Sequence, residues 1–139
     1  MAFNNQSFKH VDVIYGVEDL EGFGEGDDVV TITPNAEQFT QVVGAKGDVA
    51  RSQTSDNSCL VKVKLLETSR SNKVLMALYN LDRETGANVL PLIVINKENG
   101  KLSTINNAWI VGYPEEVLGQ GVNMMEWTIA GDFLTKTIV

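Results

Sequence analysis

The 139-residue chain contains one cysteine, one histidine and three prolines, and it is short of basic residues. Cys59 has no partner within the chain, which excludes an intrachain disulfide and suits a reducing compartment, where a buried, inert thiol is expected. With His10 as its single imidazole, the chain cannot build a multi-histidine metal site. No apolar run approaches the roughly 20 residues that span a bilayer as a helix. The longest, Val89 to Ile95, is interrupted by Pro91. The segment Met1-Ala-Phe-Asn-Asn-Gln-Ser7 lacks a basic cluster followed by an apolar stretch, so no secretory signal is expected and synthesis in a cytoplasm is. Lys and Arg number 11 against 18 Asp and Glu, a net charge of −7. None falls between Lys9 and Lys46, an interval holding Asp12, Glu18, Asp19, Glu21, Glu25, Asp27, Asp28 and Glu37, and none between Lys101 and Lys136. Phosphate backbones are held by cationic contacts, so nucleic acid is expected only as a cargo that must not stick.

What the chain does have is β-strand periodicity. The length suits one domain over residues 1–139. His10 to Val17 alternates, with Val11, Val13, Tyr15 and Val17 on one face. Gly22, Gly24 and Gly26 mark a flexible loop, Asp28 to Thr33 resumes the alternation, and Pro34-Asn35 stops it. Strands are expected at Gln38 to Val43, Val49 to Arg51, Leu60 to Leu66, Leu92 to Lys97, Lys101 to Asn106, Ala108 to Val111 and Asn123 to Ala130. Asn99-Gly100 is a hairpin signal because both residues tolerate positive φ. One helix stands out at about 70–84. Ser69 or Ser71 is placed to cap it, Val74, Leu75, Leu78 and Leu81 form its apolar stripe, and Gly86 is placed to end it. This order implies an antiparallel, mainly β fold, a barrel or a sandwich, flanked by one helix.

Catalytic chemistry finds little purchase. No triad assembles around His10, and its place beside strand residues suits a structural role. The carboxylates from Glu18 to Asp28 lack the alternating ligand spacing of a calcium loop, and Gly22-Phe-Gly-Glu-Gly26 lacks the Lys-Ser/Thr pair of a phosphate loop. Trp109 and Trp127, among apolar strand residues, suit the core. No catalytic, cofactor-binding or metal-binding residue is expected, and no enzyme activity.

The ordered set Gly22-Phe-Gly-Glu-Gly-Asp-Asp28, Gln38-Phe-Thr-Gln-Val-Val-Gly44, Thr54-Ser-Asp-Asn-Ser58, Leu66-Glu-Thr-Ser-Arg-Ser-Asn72, Thr85-Gly86, Ala108-Trp-Ile110 and Glu126-Trp127 resembles the tail tube proteins of contractile-tailed phages. Cys59 stands where the pattern has Gly, and Met124-Met125 where a basic residue is expected. The resemblance implies a β-barrel or sandwich with a flanking helix, forming hexameric rings that stack into a hollow tube. Such a tube passes DNA, sits inside a contractile sheath in the virion, and meets sheath, baseplate and tail terminator proteins but no membrane. Tubes of phage-derived bacteriocins and of type VI secretion-like systems are the alternative, and a small β-barrel binding module exposing Trp109, Trp127 and Tyr113 in a groove is another. Loops such as Gly44 to Ser58 are expected to reach a neighbouring ring and to order on stacking.

Overall fold

The computed structural model describes residues 10–26 and 28–138; the Met1 to Ser7 segment and Asp27 lie outside them. Along the chain come β1 (Val11–Tyr15), β2 (Glu18–Asp19), β3 (Val30–Pro34), β4 (Phe39–Val43), β5 (Val49–Gln53) and β6 (Cys59–Leu66). Then follow α1 (Arg70–Thr85), β7 (Leu90–Asn96), β8 (Lys101–Ile110), β9 (Met124–Gly131) and β10 (Leu134–Ile138). Eight strands share one antiparallel sheet in the order β2-β1-β7-β8-β9-β6-β3, with β10 also on β8, and β4 and β5 form a separate ribbon.

Strand β8 turns this sheet into two layers. Its first half, from Lys101 to Ile105, has β7 on one side and β10 on the other, whereas Ala108 to Ile110 exchange β10 for β9. A register shift opposite β8, between Leu90 and Leu92, accompanies the exchange, as a bulge that bends a strand does. Residues of β1, β7 and the start of β8 therefore face those of β9 and β6. Val13, Tyr15, Leu92, Ile105, Val61, Val63, Leu65, Trp127 and Ile129, each 2% exposed or less, share one core. The sheet ends on β2 and β3, which do not pair with each other. The fold is thus the sandwich of the two expected architectures, not a closed barrel.

Helix α1 covers one end of the sandwich. Ser69, with φ −66° and ψ 135°, accepts the Ser71 amide, and Gly86, at φ 68°, donates to Asp82 O, so both expected caps form. The face it buries is the expected stripe in part, with Leu78 packed against the core and Val74 half-buried, joined by two polar residues. Of Val74, Leu75, Leu78 and Leu81, Leu75 is buried and Leu81 is 48% exposed, while Ser71 and Asn72 point inward. These polar residues are buried because they are bonded. Asn72 Oδ1 accepts the indole N–H of fully buried Trp127 at 2.9 Å, and its Nδ2 donates to Leu66 O at 2.8 Å.

Several local expectations change. Gly16, at φ 65°, ends β1, so Val17 stands 97% exposed in a turn instead of continuing the inward face. Pro34 is the last residue of β3, tolerated because that strand is an edge. The segments Lys101 to Asn106 and Ala108 to Val111 are one strand, and Asn106 and Asn107 interrupt its apolar pattern at the point of partner exchange. Asn99-Gly100 does close a hairpin, but between Asn96 and Lys101, with Gly100 alone in the left-handed region. Strand β10 was not anticipated: its sandwich face reads Leu134, Lys136, Ile138, and a lysine obscures the pattern.

Candidate functional site

The ribbon β4–β5 sets this surface apart. All ten of its strand residues are exposed, including Phe39 at 44%, Val42 at 70%, Val43 at 58% and Val49 at 63%. Alternation places Phe39, Val43 and Val49 on one face with Gln41 and Arg51, and Val42 with Ala50 on the other. The Arg51 guanidinium lies 4.4 Å from the Phe39 ring centroid, and Thr40 and Ser52 share a 2.7 Å hydrogen bond. Asp48 O accepts the Gly44 amide at 2.6 Å, and Gly47 takes φ 91° in the turn. The strands expected at Gln38 to Val43 and Val49 to Arg51 therefore pair across the turn at Gly44 to Asp48, so that part of the Gly44 to Ser58 loop is one arm of a formed hairpin. A lone two-stranded ribbon is marginally stable in water, and this one buries neither face on its own chain.

Among the described residues, two edges of the main sheet are open as well. Among the described residues, strand β3 pairs with β6 on one side alone, and β2 covers β1 at Ile14 and Tyr15 while Leu20 donates its amide to Val13 O, leaving Val11 and Asp12 uncovered on that side. Unpaired backbone groups along such edges are templates for another chain.

The described residues of the acidic stretch, Glu18 to Gly26 and Asp28, are held by several contacts. Glu21 donates its amide to Ser71 Oγ at 2.9 Å, accepts from Ser69 Oγ through its carbonyl, and pairs its carboxylate with Arg70 at 3.1 Å. Gly22, at φ 71°, lies so near Ser69 that a Cβ would stand 2.6 Å from the serine side chain. Gly24 donates to Lys64 O, and Phe23 bridges to Leu65. Lys64 bonds Asp28 at 2.9 Å and holds that carboxyl below its usual range. Among the described residues, no group of three or more His, Cys, Asp or Glu is arranged to hold a metal ion.

The residues considered for chemistry are dispersed. His10 lies at the start of β1, half-buried. Cys59 is fully buried and faces Gly131, which leaves room for its sulfur; burial, and then the charge of Asp132, push the thiol up. Tyr15 donates to Ala108 O across the sandwich at 3.2 Å, and burial together with the charge of Asp82 raises its hydroxyl to about 12. Trp127 is core, and Trp109 is half-buried. Tyr113, 50% exposed, meets α1: it bonds Asn80, accepts from Arg83 at 2.9 Å, and takes Tyr79 edge-on at 4.7 Å. The three aromatics do not line one groove.

Comparison with known proteins agrees with this architecture. A chain of the PVC sheath–tube complex, an extracellular contractile injection system in its extended state, superposes with a TM-score of 0.65 at 12% identity, over 94% of this chain and 89% of that one. The anti-feeding prophage tube-terminating cap aligns with a TM-score of 0.63 at 11% identity, over 100% and 95% of the two chains. These likenesses establish a shared fold. In sequence, the structural protein ORF10 of Pseudomonas phage KPP10 is 27% identical over 113 residues, which are 80% of this chain and 65% of that protein. The family described as Bacteriophage PhiTE tail tube protein matches residues 3–136. This chain, a mainly β sandwich with an unpartnered ribbon and open sheet edges, belongs to that phage tail tube family.

Proposed function

We propose that the chain is a structural subunit and not an enzyme, and that its copies form hexameric rings stacked into the hollow inner tube of a contractile phage tail. The observation that carries this is the ribbon β4–β5, a formed hairpin with Phe39, Val42, Val43 and Val49 in solvent. In an assembly the ribbon lies against a neighbouring copy, and the open edges of β3 and β1 supply further contacts between subunits. The partners of such a tube are the surrounding sheath, the baseplate and the tail terminator, with DNA passing through. The net charge of −7 keeps DNA from adhering to the wall, since adhesion grows with cationic contacts to phosphate.

Likeness to chains of the PVC and anti-feeding prophage particles favours one second reading, the tube of a phage-derived injection particle. Negative-stain microscopy of the concentrated protein tests the proposal: rings or rods with a central hole are expected. A chain that stays monomeric at every concentration sinks it.

A further inference from the structure

At the end of the sandwich away from α1, the layers part around a cavity of about 240 Å³. Its walls include Val11 of β1, Val30 and Ile32 of β3, and Val94 of β7, and two cationic side chains, Lys101 and Lys136, stand among them. Lys136 pairs with Ser103, two residues along β8 from Lys101, so the lysines are diagonal neighbours about 7–8 Å apart on one face. Neither forms an ion pair among the described residues. Two like charges beside an apolar opening repel each other until counter-charges arrive.

The complementary surface lies past the other end of β8. Beyond Ile110 the chain enters a loop in which Glu115 and Glu116, both exposed, precede Val117 and Leu118, 49% and 81% exposed. Neither carboxylate is in an ion pair among the described residues. The loop is nonetheless anchored: Tyr113 at its root is held by Asn80 and Arg83, and Asn123 donates to Val117 O at 3.1 Å. Knob and socket are separated by the ten residues of β8, about 33 Å of extended chain. One copy cannot close this contact on itself.

We infer that the Glu115 to Leu118 knob of one copy docks into the Lys101/Lys136 socket of a second copy, aliphatic side chains entering the mouth and the two carboxylates meeting the two ammonium groups. The contact is heterologous, so its repetition builds a ring or a filament according to the rotation between copies. It rests on the proposal that the chain self-assembles, and it names which surfaces meet.

The experiment is a charge swap on the full chain. K101E/K136E and E115K/E116K should each raise the concentration at which sedimentable polymer forms by about tenfold or more, because like charges then face each other. Mixing the two variants, or placing all four substitutions in one chain, should restore assembly. Thermal melts of each variant establish that the subunit still folds. If wild type forms no polymer, the assembly proposal itself fails. If wild type assembles and either paired variant does so equally well, or the fourfold variant stays defective while folded, this contact is overturned and the assembly proposal stands.

Discussion

Replacing Asn72 by Ala tests how the helix is attached. In the structure Asn72 is 8% exposed, accepts the indole N–H of Trp127, whose side chain is fully buried, and donates to Leu66 O. Removal strands the indole N–H without a partner, at about 1–3 kcal/mol, and forfeits the second hydrogen bond, at about 1 kcal/mol. The sum is about 3 kcal/mol, which for a domain of this size lowers Tm by about 12 °C. Leu81→Ala is the informative control. Periodicity counts Leu81 in the apolar stripe, where truncation costs about 2–5 kcal/mol, but at 48% exposure it should cost about 1 kcal/mol or less. Thermal unfolding followed by near-UV circular dichroism, which reports the packing of Trp127, measures both. A double-mutant cycle with Trp127→Phe should return a coupling of about 1–2 kcal/mol. A Tm loss below about 3 °C for Asn72→Ala, or strict additivity in the cycle, refutes the reasoning.

Three further outcomes are expected. Gly131→Ala sets a Cβ 2.5 Å from Ile105 Cγ2 and 3.1 Å from Cys59 Sγ, so it should destabilise by about 1–3 kcal/mol in chemical denaturation. Tyr15, raised to about 12 in the fold against about 10 unfolded, keeps its proton longer when folded. Its contribution is whole below about pH 10 and lost as pH rises through about 12; Tyr15→Phe should flatten the alkaline fall of the stability curve across that window. Finally, Val42→Asp with Val43→Asp on the exposed ribbon should leave the subunit melt within about 1 kcal/mol of wild type yet abolish rods in negative stain. Protease cutting at the ribbon turn should be slower in assembled material than in free subunit.

Much of the secondary structure was legible because strand alternation and helix capping are local. Val13 and Tyr15, or Val61, Val63 and Leu65, declare an inward face through period two alone, and Ser69 and Gly86 mark the helix ends through backbone requirements of a few residues. Strand β10 was missed because its lysine faces the sandwich. The unbroken length of β8 was missed because its two asparagines mark an exchange of partners, which is a property of the sheet and not of the strand.

By its sequence alone, through alternation and caps, the chain was committed to a mainly β fold with one helix, and by its single cysteine and histidine to no internal disulfide and no multi-histidine metal site. Tertiary structure decided that the sheet folds over as an open sandwich, that Asn72, bonded to Trp127, joins Leu75 and Leu78 in fastening the helix, and that the hairpin β4–β5 stands with both faces exposed. The division has a physical cause. Alternation tells a strand which side to bury but not against what, and a valine on an expected strand, such as Val42 or Val49, is satisfied equally by its own chain or by the next copy.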